Sequence, residues 1–263
     1  MACAVLVFLA FSFHSHKQPD AQTIIERSVQ ANKADWAAFP KYEFDETDYD
    51  AGGHTRTYHV TMILGSPYER LIRINGKPLS PQQQASEQQK FQQAVRSRRN
   101  ETSEERARRV GSYQRDRARD HLLMDQLADA FTFKVVGEQK RGPHNVYVLK
   151  ATRRPGYTPP NHEAQVLTGM VGKLWIDEQT FQWVKVEAHV VQPVTIEGFL
   201  ATVEPGTRFE LEKMPAGNGI WVRKHFSMHS RAKILFFFSH NDQEEESYSN
   251  YHLKDPGHVP RSH

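Results

Sequence analysis

Cysteine is almost missing from this chain of 263 residues, and the only one is Cys3. A mature chain lacking the first residues has none, which removes disulfides, cysteine-based metal sites and thiol catalysis together. An excess of one charge is lacking too. Against 34 Lys and Arg stand 31 Asp and Glu, so the net charge of +3 is too small to argue for nucleic acid. No Gly-x-Ser-x-Gly, His-Glu-x-x-His or phosphate-binding Gly-rich loop occurs. No stretch is long enough for a transmembrane helix, and no internal repeat has a fixed period.

The longest apolar run, Ala2 to Phe13, has the length of a signal-peptide core and is too short to span a bilayer. No charged region precedes it and no clean Ala-x-Ala cleavage site follows. Cys3 lies before the run, whereas a lipid-modified cysteine would follow it. The reading is an exported protein that is not a lipoprotein, with residues 1–19 as the signal or apolar N-terminal segment.

What the chain does have is alternation. Gly172 to Val190 is two alternating runs joined by a polar turn, a β-hairpin pattern. Its Leu174, Ile176, Val184 and Val186 are expected on one face, with Trp175 and Trp183 on the other. Thr55 to Leu64 is another strand, with Arg56, Tyr58, Val60, Met62 and Leu64 sharing a face. Gly65-Ser66-Pro67 makes a corner, and Tyr68 to Asn75 returns with Tyr68, Arg70, Ile72 and Ile74 together. Tyr42 to Asp50, Phe131 to Val136, Asn145 to Ala151, Val194 to Val203, Thr207 to Lys213, Ile220 to Phe238 and Ser247 to Leu253 complete the set. Short turns between neighbours favour antiparallel pairing.

Helical signals stand at two places. Asp20 caps a helix over Ala21 to Ala34, with Ile24, Ile25, Ser28 and Val29 on one side. Ser80-Pro81 starts a second helix and Thr102 with Glu105 resembles a capping box for a third. Between residues 80 and 130 the chain is rich in Gln, Arg and Glu, and its apolar residues cluster late, at Leu122, Leu123, Leu127 and Phe131. This is a helical arm that packs through its C-terminal half. The fold class is therefore α+β and mainly antiparallel: a strongly curved sheet or unclosed half-barrel covered by helices, with a helical insertion. Residues 20–255 form one domain and residues 256–263 a C-terminal tail.

Candidate chemistry is thin. His225 and His229 lie four apart in a strand pattern that puts Arg223, His225, Ser227, His229, Arg231 and Lys233 on one solvated face. At strand rise the two imidazoles stand roughly 13 Å apart, too far to share an ion. His252, His258 and His263 are assigned to the polar tail. Asp177 and Glu178 read as turn residues, since successive carboxylates do not converge on one space. Nine arginines between Arg96 and Arg119 could meet phosphates or head groups, but interleaved Glu101, Glu104, Glu105, Asp116 and Asp120 make a salt-bridged solvent face. No catalytic residue, metal or cofactor is expected. The remaining candidate is the apolar face of Val60, Met62, Leu64, Ile72, Ile74, Leu149, Leu174, Ile176, Val184 and Val186, read as the lining of a cavity for acyl chains.

The order of elements resembles the LolA-like family of periplasmic lipoprotein carriers, and within it the broad group of outer-membrane lipoprotein-sorting proteins of Gram-negative bacteria. The matching pieces are the N-terminal helix, the strand pair Met62-Ile63-Leu64-Gly65-Ser66-Pro67-Tyr68-Glu69-Arg70-Leu71-Ile72, and the Leu174-Trp175-Ile176-Asp177 hairpin. The resemblance implies an unclosed β-barrel with a helical lid, export to the periplasm, and binding of lipid-modified partners without catalysis. In the carrier a basic residue just before the corner proline helps to latch the lid. Here that position is Ser66, and the Arg-rich arm is also atypical.

Three functions are thereby in play. The first is an exported, monomeric, non-enzymatic binder of lipid or lipoprotein acyl chains, and the second a periplasmic sensor or scaffold of the RseB type that binds an envelope protein. The third is a hydrolase using scattered His and Asp. A hollow apolar cavity favours the first, a filled core with an exposed apolar edge the second, and a polar cleft with converging His and carboxylate the third.

Overall fold

The computed structural model describes residues 18–196, 201–234 and 238–254. The proposed signal segment, the tail with His258 and His263, and the middle of the expected Val194 to Val203 strand lie outside the described residues.

The sheet is built from three antiparallel meanders. β1 (Tyr42–Tyr49), β2 (Thr55–Ile63), β3 (Ser66–Ile74) and the two-residue β4 (Lys77–Pro78) form one. β5 (Phe131–Arg141), β6 (His144–Arg153), β7 (Met170–Asp177) and β8 (Trp183–Val190) form the second. β9 (Val194–Ile196) and β10 (Ala201–Val203) are short, and β11 (Arg208–Gly217), β12 (Ile220–Ile234) and β13 (Phe238–Leu253) form the third. The order β4-β3-β2-β1-β13-β12-β11-β8-β7-β6-β5 inserts the third meander between the other two, and β10 pairs with β12 and carries β9 on its other edge. β4 and β5 end that path without pairing to each other, so the curved sheet is an unclosed half-barrel. His252 is not in a mobile tail: it pairs with Glu43 on β13.

Helices cover the sheet, most of them on one face, while Phe91 of the arm packs on Tyr68 from the other. α1 (Ala21–Ala38) starts at Asp20, whose carboxylate accepts from the Thr23 amide at 2.8 Å. A 3₁₀ turn, Phe39–Lys41, leads into β1. α2 (Pro81–Arg99) and α3 (Ser103–Asp125) each begin with a complete capping box, Ser80 with Gln83 and Thr102 with Glu105. Each box satisfies N–H groups that a helix start otherwise leaves unpaired. α4 (Leu127–Ala130) joins the arm to β5.

The main core fills the space under α1. Ile24 and Ile25 pack with Leu149, Leu174, Ile176, Trp183, Val186 and Val190, joined by Leu123, Met124 and Leu127 from the end of the arm. The expected alternation of the Gly172 to Val190 hairpin needs one correction. Trp175 pairs with Lys185 but Ile176 pairs with Trp183, so Val184 is an extra residue on β8. This bulge sends Trp183 into the core under α1 and Val184 to a second cluster with Val146, Val148 and Trp175.

Candidate functional site

The covered face divides into a filled half and a hollow half. Under α1, on the half built on β5 to β8, Leu149 and Ile176 are fully buried in the main core. The other half, on β1, β2, β3, β12 and β13, encloses a cavity of about 150 Å³. Phe44, Val60 and Tyr248 are its buried base. Phe39 lies over Phe44 with ring centroids 5.3 Å apart, and Met62, Pro67 and Tyr113 close the sides.

Of the ten residues expected to line an acyl-chain cavity, Val60 and Met62 border this space. Leu149, Leu174, Ile176 and Val186 belong to the filled core. Val184 packs on the opposite side, and Leu64 sits 42% exposed on the β2–β3 corner. Ile72 and Ile74 are half-buried further along β3. A one-residue register shift between Thr57 and Tyr58 skips Ile72, so Ile74 shares the face of Glu69 and not, as strict alternation has it, that of Tyr68 and Arg70.

The polar rim of the cavity was invisible to simple alternation. Arg223 belongs to it, not to the solvated face with His225. Glu212 pairs with His225 while Lys213 pairs with Arg223, so Lys224 is a bulge residue that turns Arg223 inward. Its guanidinium lies 5.9 Å from the Phe39 ring and 6.0 Å from the Tyr248 ring, near cation–π distance. Glu46 and Glu69 also border the cavity. Burial and the neighbouring charges of Glu246, Glu69 and Asp48 push the Glu46 carboxyl up to about 8, only partly offset by Arg223. Burial raises the phenols of Tyr248 and Tyr113 above their ordinary range as well.

α3 forms the roof, and it is fastened at three points. At its start, Arg109 donates to the Ser66 hydroxyl at 2.6 Å and to the Leu64 carbonyl at 3.2 Å. Arg98, at the end of α2, donates to the carbonyls of Ile63, Ser66 and Pro67 at 2.9–3.1 Å. In the middle, Arg117 stacks on Trp36 of α1 at 4.2 Å, and the two exchange side-chain to backbone hydrogen bonds. At its end, Leu123 and Met124 enter the main core. The corner is shaped to receive it: Leu64 and Gly65 have φ of 48° and 95°, and a side chain on Gly65 would meet Val110 of α3 at 3.0 Å. Ser66 thus accepts a latch from the arm where the carrier's corner is expected to supply one. The arginine-rich arm is divided: Arg98, Arg109 and Arg117 turn inward, and Arg96, Arg99, Arg106, Arg108, Arg115 and Arg119 lie exposed.

A second depression, about 630 Å³ beside Arg27, Gln30 and Phe181, is open to solvent and is a surface trough. Asp177 is a turn residue: one of its oxygens accepts from the amides of Gln179 and Thr180 at 3.1 and 2.8 Å.

No family model matches the sequence, and no curated protein resembles it. Similarity is to LolA-like structures. A LolA superfamily protein from Nitrosomonas europaea is 14% identical over 90% of this chain and 94% of its own, with a TM-score of 0.33. A DUF1329 family protein from Desulfovibrio piger is 12% identical over 91% and 95%, with a TM-score of 0.33. A protein described as an outer membrane lipoprotein-sorting domain, from Vibrio parahaemolyticus, is 9% identical over 89% and 95%, with a TM-score of 0.32. Scores this low carry nothing that follows.

Proposed function

We propose that this chain is an exported, monomeric and non-enzymatic binding protein that shelters acyl chains of lipids or lipoproteins under α3. The observation that supports it is the hollow half of the sheet. A space walled by Phe39, Phe44, Val60, Met62, Pro67 and Tyr113 presents apolar surface that packing has left unfilled. The recess is partly open and carries a polar rim, so its apolar wall is available to an apolar group that enters from outside.

Its size sets the mechanism. A cavity of about 150 Å³ holds a benzene-sized group, while sites for larger ligands run from about 300 Å³ upward. A chain of many methylenes therefore enters only when the roof lifts. α3 suits that task, because its contacts over this half are polar and local. They are the arginine bonds at the corner and the Trp36–Arg117 pair, with Tyr113 between them. The burial of each added CH₂ is worth about 0.8 kcal/mol, enough over several methylenes to offset a few surface hydrogen bonds. Among the described residues no helix is long and apolar enough to cross a membrane.

Native mass spectrometry of the protein purified from its own envelope, followed by lipid extraction, tests this reading. Co-purifying lipid or lipoprotein is expected. A lipid-free protein carrying a protein partner would instead favour the sensor or scaffold alternative. Met62→Asp is expected to lower lipid retention several-fold while export continues, since it places a charge in the cavity wall; unchanged retention would put the ligand elsewhere.

A further inference from the structure

The face of the sheet opposite the cavity carries a group of side chains that lipid binding leaves unused. The register of three adjacent strands assembles it. Glu43 of β1 stands opposite His252 of β13, and Asp45 of β1 opposite His59 of β2. Phe44 pairs with Val60, so Thr61 of β2 lies across from Glu43. Alternation sends Glu43, Asp45 and His59 away from the cavity base of Phe44 and Val60, and Thr61, which also borders the cavity, turns its hydroxyl to Glu43.

Each imidazole is held by its Nδ1. That of His59 lies 2.9 Å from Asp45 Oδ1, and that of His252 lies 3.0 Å from the Asn250 carbonyl. An oxygen acceptor at Nδ1 makes that nitrogen the donor and leaves Nε2 of the neutral ring with a lone pair. Both Nε2 atoms then approach one carboxylate oxygen, Glu43 Oε2, at 3.8 Å from His59 and 3.3 Å from His252. The other oxygen of Glu43 accepts from the Thr61 hydroxyl. The nearby cations serve other groups: Arg73 reaches Asp45 at 3.9 Å, and Lys254 bonds to the Met62 carbonyl. Two imidazoles from neighbouring strands thus reach one carboxylate oxygen, with their Nε2 atoms more than 4.8 Å from each other.

We propose that His59, His252 and Glu43 bind a divalent transition-metal ion, zinc being the best fit, with a fourth position left for water or a ligand. Two imidazoles and one carboxylate suit zinc's preference for nitrogen and oxygen donors. With metal–ligand bonds of about 2.1 Å in a tetrahedron, ligand atoms stand about 3.4 Å apart. The His252–Glu43 distance is already there, and the His59–Glu43 distance has to close by about 0.4 Å to reach the tetrahedral value. The rings, 6.0 Å apart and 14° from parallel, must also swing their Nε2 atoms together, from more than 4.8 Å to about 3.4 Å, which is the larger rearrangement the site requires. His252, with its side chain 56% exposed, has room to do so. The outer contacts match those of metal-bound histidines, whose far nitrogen usually donates to a carboxylate or carbonyl. Asp45 is itself buried and held by Asn250 Nδ2 at 2.8 Å. Asn250 sits at the β13 bulge with φ 56°, and it serves both histidines, through its carbonyl and its amide. Glu46, Asp48 and Glu246, whose ligand atoms already lie within 4.8 Å of one another, have oxygens only and supply the control.

The test is titration of the untagged full chain with Zn²⁺ by calorimetry and with Co²⁺ by visible absorption. One equivalent is expected to bind, with a Co²⁺ spectrum of tetrahedral type, and Zn²⁺ raises the melting temperature. His59→Gln and His252→Gln each weaken binding about 100-fold or more and abolish that rise, and Asp45→Asn weakens it about 10-fold. Glu246→Gln leaves binding unchanged. His252→Gln, at a half-exposed position, keeps the test decisive should His59→Gln fail to fold. No saturable binding, binding that survives His252→Gln, or binding lost with Glu246→Gln each overturns the assignment.

Discussion

Among the described carboxylates, Glu46 departs furthest from its ordinary range. Burial and three neighbouring carboxylates hold its proton to about pH 8, against 4.5 for a free glutamate. The folded chain keeps a proton that the unfolded chain releases above pH 4.5. The native state therefore binds more protons through that window, and stability falls as pH rises from about 4.5 to about 8. Glu46→Gln fixes the neutral shape and removes this slope. One pKa unit is worth about 1.4 kcal/mol, so the variant should exceed the wild type by at least about 1 kcal/mol at pH 8 in urea denaturation. Parallel pH profiles for the two proteins would refute the assignment. Arg223, which faces Glu46 in the cavity, shows why this site was hard to read from sequence. Strict alternation groups Arg223 with His225, and only the extra residue Lys224 reverses it. Lys224 and Val184 carry none of the glycine signals that mark some bulges, so alternation fails at both positions without warning.

At the scale of elements, the arm depends on two arginines more than on its charge as a whole. Arg98 satisfies the carbonyls of Ile63, Ser66 and Pro67, and both Ile63 and Ser66 are buried. Leaving such acceptors unpaired costs about 1–3 kcal/mol each before water re-enters. Arg98→Ala is therefore expected to lose about 2–3 kcal/mol in urea denaturation and to speed amide exchange along α3. The exposed Arg96→Ala should stay within about 0.5 kcal/mol of wild type. Equal effects of the two would mean that the corner does not anchor the arm. The start of each helix was legible, because Ser80-Pro81 and Thr102 with Glu105 are local codes for a local event. Which arginines turn inward was not. The nine carry the same charge in similar surroundings, and their fates are decided by partners remote in sequence, the strand corner at Ser66 for Arg98 and Arg109 and Trp36 of α1 for Arg117.

For the whole molecule, antiparallel order between sequence neighbours was readable from turns and alternation, and so was the helical insertion. The joints that make the half-barrel were not, since β1 meets β13 and β8 meets β11 through long-range pairing alone. Nor could apolar stripes tell filled from hollow, because Leu149 under α1 and Val60 beside the cavity have the same sequence pattern. What fixes α1 over one half is a buried polar anchor at its far end. Asp35 pairs with Lys213 of β11, and its Oδ1 accepts from Gln182 at 3.1 Å and from the Trp221 amide at 2.9 Å. Lys213 also donates to Asn32 at 2.7 Å. α1 thereby joins the β5–β8 meander, through Ile24 and Ile25, to β11 and β12. Burial pulls the Lys213 amine below its ordinary range, and Asp35 is what opposes that shift. Asp35→Ala removes the opposing charge and leaves the lysine buried without it, a change that typically costs about 3–5 kcal/mol. The unfolded chain keeps the lysine proton more readily than the folded variant does, so the deficit should shrink as pH rises toward the ordinary lysine range. Replacing both partners, Asp35→Leu with Lys213→Met, removes both desolvation costs and is expected to recover more than half of the loss. Chemical denaturation of the three variants at two pH values decides it. A double variant as unstable as Asp35→Ala, with no pH dependence in either, would mean that packing alone, and not the ion pair, seats the helix.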